Sequence, residues 1–124
     1  MKKLVAFALL AVALQSQAHA KDDYVNRVVE AIYHAEGVNS RYPYGILSVK
    51  VRSKAEARKV CYEVVNWRYA MWQSMDTGES FIEYLSKSYC PIGAKNDPRG
   101  LNRNWQKNVN FYLNKGSISE AYHV

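Results

Sequence analysis

The first twenty residues constrain most strongly what this chain can become. Lys2 and Lys3 precede an uncharged apolar run from Leu4 to Leu14, and the polar stretch after it ends in Ala18-His19-Ala20. A basic start, a short apolar run and small residues before a cut, in that order, mark a secretory leader. The run is eleven residues long, too short for a bilayer that needs about 20. The sequence therefore predicts an exported protein, periplasmic or secreted, cleaved after Ala20. No cysteine lies near the cut, so no lipid or membrane anchor is expected. An ordinary buried N-terminal helix is the other reading of the same residues.

Loss of 20 of the 124 residues leaves 104, enough for one compact domain. A domain of this size buries a smaller share of its surface than a larger one, and a covalent staple helps it. Cys61 and Cys90 are the only cysteines. In an oxidising compartment an isolated pair is most simply a disulfide. Closing a loop between residues 29 apart in sequence stabilises by about 3 kcal/mol on a chain-entropy argument. Two cysteines with only His34 and His123 in the mature chain make a poor metal site, and no cofactor is expected. The formal charge of +6 falls to about +4 without Lys2 and Lys3, which suits an acidic extended partner or plain solubility. The basic residues are scattered, which argues against nucleic acid.

Hydrophobic spacing predicts a mainly α chain of about four helices. The first runs from about Asp22 to Glu36, with Val25, Val28, Val29 and Ile32 on one face, and Gly37 ends it. Residues 38–51 carry Asn39, Ser40, Pro43 and Gly45, the signature of an irregular loop or short hairpin. Ser53-Lys54-Ala55-Glu56 is a capping box that opens a second helix reaching about Met75. Its predicted stripe is Ala57, Val60, Cys61, Val64, Arg68, Met71 and Met75. A third helix spans about Glu79 to Tyr89, facing inward through Phe81, Ile82, Leu85 and Tyr89, and Pro91 stops it. After a turn at Asn96-Asp97-Pro98-Arg99-Gly100, a last helix opens near Asn102 or Arg103. It buries Trp105, Val109, Tyr112 and Leu113 and stops at Gly116. The folded domain is expected over 21–116, with 117–124 a flexible tail.

Glu36 stands out chemically. It follows Val25 by eleven residues, about three helical turns, which puts a carboxylate on the buried stripe. It also sits at the negative end of the helix dipole. Desolvation and that potential both disfavour ionisation and raise its pKa. A carboxylic acid that keeps its proton near neutral pH is what donation to a leaving glycosidic oxygen requires. An exposed, unremarkable helix-terminal glutamate is the competing reading of the spacing alone.

The stretch Ile32-Tyr33-His34-Ala35-Glu36-Gly37, continued by Asn39-Ser40 and Pro43-Tyr44-Gly45-Ile46-Leu47-Ser48, resembles lytic transglycosylases and goose-type lysozymes. In that family a helix ends in glutamate plus a small residue, and a glycine-leucine-methionine-glutamine turn then walls the cleft. Leu85 to Tyr89 and the later Trp105-x-x-x-Val109 look like the family's third element. Ser48, Cys90 and Trp105 stand where the family has glutamine, asparagine and tyrosine. The resemblance implies a small lysozyme-like domain that cuts the β-1,4 bond between N-acetylmuramic acid and N-acetylglucosamine. Glu36 would be the catalytic acid, with Tyr44, Gly45, Ser48, Tyr89, Asn104 and Trp105 as substrate contacts. Its partners would be peptidoglycan glycan strands and, in one role, an envelope-spanning protein complex for which the wall is opened locally. No convincing second carboxylate accompanies Glu36. Asp97 reads as a structural turn residue, His34 as a surface histidine, and Asn102 or Asn104 as a cap of the last helix. Two other functions fit the same chain: a non-catalytic peptidoglycan-binding protein of lysozyme-like shape, and an inhibitor-like envelope protein that binds another protein.

Overall fold

The computed structural model describes the backbone of residues 2–45, 51–90, 93–95 and 97–122, and the side chains of 14–45, 51–90, 93–95 and 97–116. Four helices occur among them: α1 (Lys2–Glu36), α2 (Lys54–Ser74), α3 (Phe81–Tyr89) and α4 (Arg103–Tyr122). A single 3-10 turn lies at Pro43–Gly45 between the first two. No strand occurs among the described residues, so the hairpin allowed for residues 38–51 is replaced by this turn up to Gly45. Residues 46–50 lie outside the description.

Helix α1 begins at Lys2, not Asp22. The chain has no glycine or proline before Gly37, and the Ala- and Leu-rich run has high helix propensity, so nothing interrupts the helix at the proposed cleavage point. Its inward face is the expected one: Val25, Val28, Val29, Ala31 and Ile32 are buried. Gly37 ends it at φ 97°, donating its N–H to the His34 carbonyl at 3.2 Å.

Both middle helices are capped by serine. Ser53 accepts from the Glu56 N–H at 3.1 Å, while the Glu56 carboxylate reaches back to the Arg52 N–H at 2.8 Å. Ser80 repeats the device with the Glu83 N–H at 3.2 Å. Each cap contributes about 1 kcal/mol. Helix α2 docks on α1 through polar contacts as well: Tyr62 donates to the Asp22 carboxylate, and Arg58 donates to Asn26 at 3.0 Å and pairs with Glu30 at 3.4 Å.

The buried face of α2 differs from the predicted stripe. Ala57, Cys61 and Val65 are inside, whereas Val64 and Met75 are 37% and 45% exposed. The reason lies in the second half of the helix, where Tyr69 and Trp72 pack toward Tyr24 and Phe81. The Tyr69 ring lies 5.3 Å from Tyr24 and 5.1 Å from Phe81, and Trp72 lies 5.7 Å from Phe81. Rings that bury 150–250 Å² each outweigh methionine and valine in choosing which face turns inward. The Trp72 indole also donates to the Glu79 carbonyl at 3.0 Å, tying the α2–α3 connection down.

Phe81, Ile82 and Leu85 of α3 are buried as expected. Helix α4 buries Trp105 and Val109, with Tyr112 and Leu113 packed partly against the core. It continues past Gly116 to Tyr122, because one glycine inside a helix costs only about 1 kcal/mol. No helix among the described residues is long and apolar enough to cross a membrane.

The α2 register has a direct consequence. Val65→Ala should cost about 2 kcal/mol of unfolding free energy and Val64→Ala less than about 0.5 kcal/mol, measured as urea midpoints. Equal losses at the two positions would refute this register.

Candidate active site

Glu36 is the last residue of α1, and the chain bends back on it at once. The Ser40 N–H donates to the Gly37 carbonyl at 3.0 Å, the Tyr42 N–H to Ser40 Oγ at 3.1 Å, and the Gly45 N–H to the Tyr42 carbonyl at 2.9 Å. These bonds bring Gly45 onto the Glu36 carboxyl. A Cβ on Gly45 would lie 2.9 Å from both Cδ and Oε1 of Glu36, and its φ is +68°. Glycine is therefore required twice over, by the close approach and by the left-handed backbone.

Tyr44, one residue earlier, adopts φ 61° and ψ 13°. A bulky residue in this region costs of order 1–3 kcal/mol and persists only where its surroundings impose it. Two neighbours do so. The Tyr89 hydroxyl donates to the Tyr44 carbonyl, and the buried Tyr44 ring packs 4.9 Å from that of Tyr33.

The opposite wall comes from α4. Trp105 is buried and donates its indole Nε1–H to Glu36 Oε1 at 2.9 Å, and its ring stacks on Tyr89 at 5.2 Å. Asp97 places it. The buried Asp97 carboxylate accepts from the backbone N–H groups of Gly93, Leu101 and Asn102 at 3.1, 2.7 and 3.0 Å, organising the turn that leads into α4. Burial alone would push its pKa up, but those three donors and the nearby Arg103 outweigh burial and hold it below the usual carboxylate value. The first N–H groups of α4, those of Arg103, Asn104 and Trp105, donate to the carbonyls of Gly100, Leu101 and Asn102.

Burial raises the Glu36 pKa, and the indole bond opposes the rise only in part. The end of the helix dipole acts in the same direction as burial. The groups around Glu36 lean toward their neutral forms too. Burial pushes the Cys61 and Cys90 thiols up to about 11, and burial chiefly raises Tyr89. Among the described residues, the half-buried carboxyl thus has neutral neighbours.

Cys61 and Cys90 are free thiols, and the expected disulfide is not formed. Cys61 is fully buried on α2 beneath Tyr89, whose oxygen lies 3.5 Å from Cys61 Sγ, while Cys90 caps the end of α3. With both thiols protonated at neutral pH, neither is a nucleophile.

Of the residues expected at the site, Tyr44, Gly45, Tyr89 and Trp105 converge on Glu36. The polar ends of Tyr89 and Trp105 are bonded to protein partners, so these side chains build the wall. Asn104 is exposed on the first turn of α4, and Ser48 lies outside the described residues. Sequence reasoning missed Cys61 as a neighbour of Tyr89, and no motif pointed to it. His34 is exposed and stacks on Tyr112 at 5.4 Å. A separate groove of about 980 Å³ runs between α1 and α4 past Asp23, Arg27, His34 and Tyr112, and Glu36 does not line it. Chemistry, not cavity size, makes Glu36 the candidate. Comparison with protein-family models, characterised proteins and solved structures finds no significant match.

The indole bond favours the carboxylate, so Trp105→Phe should raise the Glu36 pKa further. NMR titration of the Glu36 carboxyl carbon measures it, and a fall in the midpoint would contradict this account of the site.

Proposed function

We propose that this chain is an exported enzyme of lysozyme-like type. It would cleave the β-1,4 bond between N-acetylmuramic acid and N-acetylglucosamine in peptidoglycan, with Glu36 as general acid and then base. The observation that carries this reading is the half-buried Glu36 carboxyl at the end of α1, its pKa raised by burial, closed in by Gly45 and the Trp105 indole. The leader-like residues 1–20 and the resemblance around Glu36-Gly37 and Gly45-Ile46-Leu47 support it further.

The chemistry needs one proton moved twice. Protonated Glu36 donates to the glycosidic oxygen as the C–O bond breaks, leaving a hydroxyl on the departing sugar. Positive charge at the anomeric carbon is met by the substrate's own N-acetyl oxygen, the substrate-assisted route open to enzymes that lack a paired carboxylate. Glu36, now ionised, takes a proton from the attacking oxygen. Water in that position gives a reducing end, and the sugar's own 6-hydroxyl gives a 1,6-anhydro end. Asp97 is committed to three backbone N–H donors and is not available as a second catalytic carboxylate.

A non-catalytic wall-binding protein is the second reading. The departures from the family pattern at Ser48, Cys90 and Trp105 favour it. It predicts saturable binding to peptidoglycan with no released product.

Glu36→Gln decides between them. General acid catalysis contributes about 10²–10⁴-fold, so muropeptide release, followed by mass spectrometry, should fall by at least about 100-fold. Stability should move the other way. A carboxyl whose folded pKa lies above its unfolded value stabilises the fold below the unfolded pKa and loses that contribution as pH rises through the folded pKa. The glutamine variant should therefore melt higher than the parent at pH 7. Undiminished release by the variant, or no release by the parent, would overturn the enzymatic reading.

A further inference from the structure

We infer that Tyr89 is a positioning residue for Glu36, its hydroxyl holding the Tyr44 carbonyl and its ring backing Trp105, so that one side chain fixes both walls that close over the carboxyl. The inference rests on the reading of Glu36 as the working acid and goes beyond it, because Tyr89 touches no reacting atom in this scheme.

The geometry runs through two routes. On one side, the Tyr89 hydroxyl donates to Tyr44, whose left-handed backbone delivers Gly45 to within van der Waals contact of Glu36. Without that donor the Tyr44 carbonyl has reason to turn toward water, and the turn has reason to relax. On the other side, the Tyr89 ring lies 5.2 Å from the Trp105 ring with 26° between their planes, and Trp105 holds Glu36 Oε1. Among the described residues, the titratable groups that face Glu36 are Cys61 from α2, and Tyr89 and Cys90 from α3 and its cap. All three are neutral near pH 7. Among the described residues no charge faces Glu36, so access of water, controlled by the two walls, governs its ionisation.

Tyr89→Phe tests this because it keeps the ring stacked on Trp105 and removes only the hydroxyl. The expected result is a Glu36 titration, followed by carboxyl-carbon NMR, whose midpoint falls by about one pH unit, a tenfold change in ionisation constant. The alkaline limb of muropeptide release should move down by the same amount. Tyr33→Phe is the control, since Tyr33 also donates a hydroxyl to the same loop, at the Val38 carbonyl 3.1 Å away. It should leave the Glu36 midpoint in place. A Glu36 midpoint unchanged in Tyr89→Phe, or shifted equally by both variants, overturns the proposal. A measurement on the parent protein decides the matter even where the phenylalanine variant does not fold: the Tyr89 hydroxyl proton should exchange slowly and show contacts to Gly45, and fast exchange refutes the role. The titration does not depend on turnover. A Tyr89-dependent Glu36 in a protein that releases no muropeptide would refute the enzymatic reading alone, and an active protein whose Glu36 ignores Tyr89 would refute this inference alone.

Discussion

A hydrogen bond spanning 69 residues of sequence, from the Trp105 indole to Glu36, joins the end of the first helix to the start of the last. It can form only if three separate pieces of local structure agree. Gly37 must end α1 so that the carboxyl is not covered by a further turn. The turn Pro43–Gly45 must return to the helix end with a residue that has no side chain. The chain before α4 must start that helix in the register that aims Trp105 inward, which Asp97 secures with three backbone donors. Failure of any one leaves a half-buried carboxyl without its partner, an arrangement that costs more than the bond itself contributes.

The electrostatics of the site follow from that enclosure. Burial raises the pKa of the carboxyl, and the indole donor moderates this rise without reversing it. A lysine or arginine in place of Trp105 would instead pull the Glu36 pKa down. A neutral donor positions the group while leaving most of the burial effect intact. The left-handed Tyr44 belongs to the same economy: its strain of order 1–3 kcal/mol is the cost of bringing Gly45 against the acid. It is held by a buried ring and by the tyrosine hydroxyl that reaches across from α3.

Much of this was legible in the residues because it is local. The stripe Val25, Val28, Val29 and Ile32, and the position of Glu36 on it, follow from helical period alone. The capping box at Ser53 follows from hydrogen-bond reach, and Gly37 and Gly45 from turn chemistry. What was not legible depends on distant partners. The face of α2 was misjudged because the competition between Val64 or Met75 and the rings of Tyr69 and Trp72 is settled by Tyr24 and Phe81, which lie on other helices. Helix ends were misplaced where propensity carries a helix through a weak signal, at Asp22 and at Gly116. The Cys61–Cys90 disulfide was inferred from compartment and count, but whether two thiols meet depends on what lies between them, and here Tyr89 lies over Cys61.

The solitary character of Glu36 bears on mechanism. Enzymes that place a second carboxylate across the bond stabilise positive charge at the anomeric carbon themselves. Here Asp97 is spent on the backbone, and among the described residues the groups around Glu36 include a glycine, two aromatic rings and two protonated thiols. Among the described residues, none of these neighbours offers a negative charge to a developing cation. For the proposed glycosidic cleavage, these residues fit a route in which the substrate supplies that stabilisation. That route needs a sugar with an oxygen placed to reach its own anomeric carbon, and the 2-acetamido group of the proposed substrate has one.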